Sequence, residues 1–225
     1  SASEVLVRYN NTGMLYTGQT VAVGDVRYSF ADLPASTTLK AVSVIGLEAS
    51  LGGGLQIGGD FGFQADGTTM NVVAQNARAY LGAGDFAVGV EDASLGLVVT
   101  DSGRVLEASG GLFAQVGNAV GLSAQTVSVR LKETGTAYTG IEISAGNVDY
   151  TFINIGASAT LIEVAVGNAS LSVGGFVTAS GNLAVRSDAG NLTLADASTV
   201  SVNLLTIGGS DLSAFAGYNG ESDQA

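Results

Sequence analysis

The chain has 225 residues, 46% hydrophobic and only 12% charged, with a mean hydropathy of +0.38, a composition that can fill a core and excludes disorder for its bulk. Eight Lys and Arg against 20 Asp and Glu leave a net charge of −12, which repels phosphate backbones and argues against nucleic acid as a partner. With no Cys and no His, disulfides, thiol nucleophiles, Ser-His-Asp catalysis, His-ligated zinc and facial-triad iron are all excluded.

Read from its start, Ser1-Ala2-Ser3-Glu4-Val5 carries neither a basic n-region nor an apolar h-region, so an export signal is expected outside this segment. Strand-like segments rich in β-branched, aliphatic and aromatic residues follow: Val5-Leu6-Val7-Arg8-Tyr9, Val26-Arg27-Tyr28-Ser29-Phe30, Phe61-Gly62-Phe63-Gln64, Leu95-Gly96-Leu97-Val98-Val99-Thr100 and Val127-Ser128-Val129-Arg130-Leu131. Turn signals separate them at Asn10-Asn11-Thr12-Gly13, Gly24-Asp25, Ala65-Asp66-Gly67, Asp101-Ser102-Gly103, Glu133-Thr134-Gly135 and Asp188-Ala189-Gly190. One proline, Pro34, leaves nearly all of these strands unbroken. Only Ser210-Asp211-Leu212-Ser213-Ala214-Phe215-Ala216 carries a helix signal, enough for a turn or two. The tail from Tyr218 to Ala225 is expected to fray. No apolar run approaches the roughly 18 residues of a membrane-spanning helix, and none is expected.

The most specific signal is a tandem repeat. Ser1-Ala2, Val5, Val7-Arg8, Thr12-Gly13, Tyr16-Thr17-Gly18, Gly24, Val26, Tyr28 and Phe30 return, at one constant offset, as Ser123-Ala124, Val127, Val129-Arg130, Thr134-Gly135, Tyr138-Thr139-Gly140, Gly146, Val148, Tyr150 and Phe152. These identities far exceed the roughly two expected by chance over that length. The chain is therefore divided into a first copy, residues 1–122, and a second, incomplete copy, 123–225. Near Ala49-Ser50-Leu51 and Ala169-Ser170-Leu171 the register reads as slipping by about two residues, as a length change in a turn would produce. The second copy stops short of a full period, so the chain reads as a piece of something longer.

Many short strands at close spacing predict an all-β protein, arranged as a repetitive β-solenoid or an elongated stacked β-sheet. Tandem β-sandwich domains are the alternative, since one copy is about the size of an immunoglobulin-like domain. An Ala-led motif at Ala49, Ala77, Ala93, Ala108, Ala124 and Ala169 suits hairpin arms or half-coils stacked along an axis.

Gly59-Asp60-Phe61 and Gly84-Asp85-Phe86 repeat a Gly-Asp-aromatic lead-in to a strand. Ala-Ser-Leu occurs at 49–51, 93–95 and 169–171. Leu95 to Val99 is set to pair through Asp101-Ser102-Gly103 with Arg104 to Ala108. With the long tandem period, this resembles the repeat regions of giant secreted bacterial proteins of the adhesin-like and RTX-associated kind. The resemblance implies a secreted or cell-surface structural or adhesive module, whose partners are neighbouring repeats of the same parent chain, an extracellular glycan, or itself. The calcium nonapeptide Gly-Gly-x-Gly-x-Asp is absent, so calcium chemistry is not implied by it.

From the residues alone, calcium is the one cofactor the acids suggest, since it takes oxygen ligands gathered on turns. Asp85, Glu91, Asp92 and Asp101 lie in neighbouring turns and would converge if the strands stack. The competing reading is solvated acids that favour turns for backbone reasons. A calcium- or polysaccharide-binding module is thus the alternative function. Catalysis is not expected: no carboxylate pair stands out, and there is no Trp to stack on a sugar. The recurring Tyr16, Tyr28 and Phe30 and their copies Tyr138, Tyr150 and Phe152 read as core packing ahead of a sugar platform. Arg8 and Arg130 read as a salt bridge or a snorkelling edge residue.

Overall fold

The computed structural model describes residues 1–51, 54–158 and 160–217. The expected fraying of the tail lies outside these residues. In chain order the strands are β1 (Glu4–Asn10), the hairpin β2 (Thr20–Val23) and β3 (Val26–Ser29), then β4 (Leu39–Leu51), β5 (Leu55–Asp66), β6 (Thr69–Ala83), β7 (Phe86–Thr100), β8 (Gly103–Val116) and β9 (Val120–Lys132). A second hairpin follows, β10 (Glu142–Ala145) and β11 (Val148–Thr151), and then β12 (Leu161–Val173), β13 (Val177–Thr193) and β14 (Thr199–Ala216). The protein is all-β, and its ten long strands form one antiparallel sheet ordered β1-β4-β5-β6-β7-β8-β9-β12-β13-β14. Each strand lies beside its neighbour in sequence once the two short hairpins are set aside. The sheet is a meander, and β1 and β14 are its edges.

Ser210 to Ala216, expected as a helical turn, belongs to β14, where Ser210 pairs with Asn182 and Ala216 with Val177. Cross-strand pairing along a long neighbour overrides a local cap signal. Asp188-Ala189-Gly190 is likewise inside β13, opposite Leu204, Asn203 and Val202. The chain reverses later, where Leu194 N–H donates to Ser198 O at 2.8 Å. The expected slip near Ala49 is absent: β4 and β12, and β5 and β13, start at matching positions of the two copies.

A line of bulges crosses the sheet. Gly46, Asn76, Asp92, Asn168 and Asp211 sit at φ of 61°, 49°, 49°, 50° and 52°, beside register shifts in their strands. Asn and Asp tolerate this left-handed conformation better than other side chains. Asp60 ties two of these points together, accepting from Gly46 N at 2.7 Å and Asn76 Nδ2 at 3.1 Å. Asn182 does the same in the second copy, accepting from Asn168 N at 2.8 Å and donating to Asp211 Oδ2 at 2.8 Å. Gly59-Asp60-Phe61 is therefore a bulge within β5, whereas Gly84-Asp85 is the turn that leads into β7.

Alternation gives the sheet two different faces. One carries a cross-strand row from Val7 through Val42, Phe63 and Leu97 to Leu131 and Ile162, apolar and open, with Val7, Val42, Phe63 and Ile162 all exposed. On the other face Leu39, Ala41, Val73, Val98, Val105 and Leu161 are buried. What buries the strands at the centre of that face is the hairpin β10–β11, which lies across β4, β5, β6 and β7. The core of the first copy is thus closed by an element of the second.

Candidate functional site

The seat of this hairpin is cut into the sheet by missing side chains. A Cβ built on Gly62 would lie 2.1 Å from Ala145 O, and one on Gly96 would lie 2.2 Å from Tyr150 Cδ1. On this floor Ile143, Ala145, Val148, Tyr150, Phe152 and Ile155 pack against Val73, Val98, Val105 and Leu161. Tyr150 and Tyr138 each meet Phe152 edge-on, at 5.3 Å between ring centroids, a favourable arrangement of ring quadrupoles. Polar latches fix the register. Gln75 Nε2 donates to Asp149 O at 3.0 Å, Asn147 N to Ser43 Oγ at 3.2 Å, and Arg8 to Gly146 O and Asn147 Oδ1 at 3.2 and 3.0 Å.

Beside the seat runs a ladder of alternating charge. Glu107 on β8, Arg130 on β9, Glu163 on β12 and Arg186 on β13 face one another in successive pairs. Arg130 Nε bonds Glu107 Oε1 at 2.9 Å and its Nη1 pairs with Glu163; Arg186 reaches Glu163 at 3.7 Å and Asp188 at 2.8 Å. Burial opposes the charge on Arg130, but the hydrogen bond it donates to Glu107 and the charges of Glu163 and Glu107 outweigh it and raise its pKa. Glu107, its side chain 5% exposed, also accepts from Ile153 N at 2.6 Å and Asn154 N at 3.2 Å. One carboxylate therefore pins the end of the hairpin to both β8 and β9. A buried charge held in this way is tolerated because both of its oxygens have donors and a cation lies beside it. Burial, with the Glu107 charge beside it, pushes the Tyr150 hydroxyl far above its ordinary range. Lys132, fully buried, donates to Gly156 O and has no ion pair among the described residues, and burial lowers its pKa.

The first copy carries the same hairpin without the seat. Tyr16 N–H donates to Leu33 O as Tyr138 N–H does to Ile155 O, and Tyr28 meets Phe30 edge-on at 5.3 Å. The strand pairing and the Tyr–Phe contacts recur, although Tyr16 meets Phe30 at 44° where Tyr138 meets Phe152 at 77°; the surroundings do not recur. Val21, Val23, Val26 and Tyr28 are 51%, 76%, 73% and 59% exposed, against 8%, 0%, 3% and 5% for Ile143, Ala145, Val148 and Tyr150. The expectation that the recurring aromatics are core residues holds in the second copy, whereas in the first Tyr28 is uncovered.

The four acids expected to gather around calcium are spread along β7. Asp85 lies in the turn before that strand and Asp101 in the turn after it, so its 15 residues separate them, about 50 Å at ~3.3 Å per residue. Glu91 and Asp92 sit midway, at the bulge. Among the described residues no group of three acids is placed to hold a metal ion. The sequence reading missed Glu107. Its signal is one acid at an inward position of the strand Val105-Leu106-Glu107-Ala108, but its partners lie at Arg130 and at Ile153-Asn154, beyond the reach of a local pattern. Of the recurring arginines, Arg130 makes the expected salt bridges, and Arg8 makes none among the described residues.

No protein-family model, curated protein or solved structure matches the chain. No helix among the described residues is long and apolar enough to cross a membrane.

Proposed function

We propose that the chain is a non-catalytic structural or adhesive repeat module of a large extracellular bacterial protein. Successive copies in this reading extend one elongated, stacked β-sheet. The observation that carries it is the exchange across the repeat boundary: the second copy's β10–β11 hairpin completes the core under which the first copy's Val73 and Val98 are buried. The boundary itself, between residues 122 and 123, falls inside β9, where an independently folding domain would have a linker. Modules that share cores with their neighbours gain stability from nearest-neighbour contacts and build long, stiff bodies. Glu107 and Glu163 are both bound to Arg130, an arrangement that joins strands. The secreted setting rests on the resemblance of the tandem period and strand texture to repeat regions of giant secreted proteins.

The test is hydrogen exchange on wild type and Phe152→Ala. Phe152 is fully buried in the second copy's hairpin. The array reading expects faster exchange in β6 and β7 of the first copy, along with a single, lowered unfolding transition. Unchanged protection there, with the second copy alone destabilised, would make the copies independent domains and defeat the reading.

A further inference from the structure

The β1 edge and the underside of the β2–β3 hairpin form an empty receptor whose occupied counterpart is in the same molecule. In the second copy, β9 is flanked on one side by β12 and on the other by β8. Strand β8 lies antiparallel to it, with Glu107 opposite Arg130 and Val105 opposite Lys132. The first copy's equivalent of β9 is β1, which pairs only with β4. Where β8 would lie there is a cleft of about 260 Å³ lined by Arg8, Tyr28, Phe30, Ala31 and Asp32 among others.

The unused groups in this cleft match those that hold Glu107. Arg130 gives its Nε to Glu107. Arg8 spends Nη1 and Nη2 on the tip of the β10–β11 hairpin, and its Nε has no partner among the described residues. Ile153 N and Asn154 N donate to Glu107, and at the matching positions Ala31 and Asp32 line the cleft. On the β4 side, Ala41 stands opposite Arg8 where Glu163 stands opposite Arg130, and Arg8 makes no ion pair among the described residues. An exposed edge strand carrying a cation without an ion pair, with two backbone donors from the neighbouring segment beside it, is a site for strand addition by an acid-bearing strand.

We propose that β1 binds the β8 segment of another copy of this repeat, one preceding it in a tandem array. That strand would be antiparallel to β1, its glutamate seated against Arg8 Nε and the N–H groups of residues 31 and 32. The occupant is a repeat copy because, among the described residues, β8 is the strand whose glutamate meets the matching arginine and backbone N–H groups, and it fills the corresponding site one copy along. The assignment rests on the tandem-array reading and names the surface through which that array is joined. Such an interface is heterologous, head to tail, and does not close on itself.

The test uses the whole chain and a dye-labelled synthetic peptide of residues 103–114. Fluorescence anisotropy is expected to show saturable binding, with hydrogen exchange slowed in residues 5–10 and 30–32. A peptide carrying Glu107→Gln is expected to bind about tenfold more weakly or worse, since a charge-assisted bond is lost. Arg8→Ala in the chain should weaken the wild-type peptide comparably, and the peptide variant keeps the test decisive should that substitution disturb the fold. Absence of binding, or binding indifferent to Glu107→Gln, overturns the proposal. If the peptide is silent while Phe152→Ala still destabilises the first copy, the edge site fails and the array reading survives. If the peptide binds as expected and that coupling is absent, the array reading fails and β1 remains a strand-binding edge.

Discussion

The ring of Tyr150 lies on the bare backbone of Gly96, so closely that a methyl group there would come within 2.2 Å of the ring. Gly96 is on β7 of the first copy and Tyr150 on the hairpin of the second, so their contact is one of the close approaches through which the copies interlock. Gly96→Ala is expected to cost about 1–3 kcal/mol by overpacking. Gly208, on β14, has nothing within 4 Å of a built Cβ, and Gly208→Ala should be neutral or slightly stabilising. Urea unfolding of the two variants beside wild type reads the difference directly.

Val26 and Val148 are the same residue at the same position of the same hairpin, 73% and 3% exposed. Val148→Ala should lower stability by about 2 kcal/mol. Val26→Ala should stay within about 0.5 kcal/mol of wild type. Equal effects would mean that the first hairpin is covered in solution.

Alkaline pH should move stability in two opposed steps. Burial lowers the pKa of Lys132, so the unfolded chain binds more protons than the folded one between that lowered value and the ordinary ~10.4, and stability rises with pH through this window. Burial, reinforced by Glu107, raises the pKa of Tyr150, so above the ordinary ~10 the unfolded chain loses its phenolic proton first and stability falls. Chemical denaturation from pH 8 to 11 checks both signs. Lys132→Met should flatten the rise and Tyr150→Phe should soften the fall.

Calcium should leave the melting temperature unchanged relative to EDTA. Asp85 and Asp101 stand at opposite ends of β7, and among the described residues no group of three acids is placed to hold an ion that takes six or more oxygens. An upward shift of several degrees would mean selective binding to the folded state and would locate a site that the acids of β7 do not form.

The parts of this fold legible in the sequence are those governed by local rules. Gly24-Asp25 and Asp101-Ser102 turn hairpins where their composition said they would, and Leu95 to Val99 pairs with Arg104 to Ala108 as alternation required. β2, β3 and β4 recur as β10, β11 and β12 at matching positions of the sequence repeat, whereas β14 begins later than the position that matches the start of β6. What escaped local reading depends on distant neighbours. Asn76, Asp92, Asn168 and Asp211 look like ordinary polar residues in sequence, and only the ladder beside them makes them bulges. Ala-Ser-Leu at 49–51 and 169–171 suggested a shifted register, yet the strands match without one, because bulge residues Gly46 and Asn168 hold the alignment that identity alone missed. Tyr28 and Tyr150 cannot be told apart by any local pattern, since what separates them is whether a sheet from another copy lies beneath. Glu107 was invisible for the same reason.

The order of the pieces along the chain gives the molecule a direction in time. A polypeptide leaves the ribosome N-terminus first, at ~5–20 residues per second. Val73 and Val98 therefore emerge several seconds before Tyr150 and Phe152 exist to cover them. The apolar floor around Val73 and Val98 is thus made before the β10–β11 hairpin that roofs it.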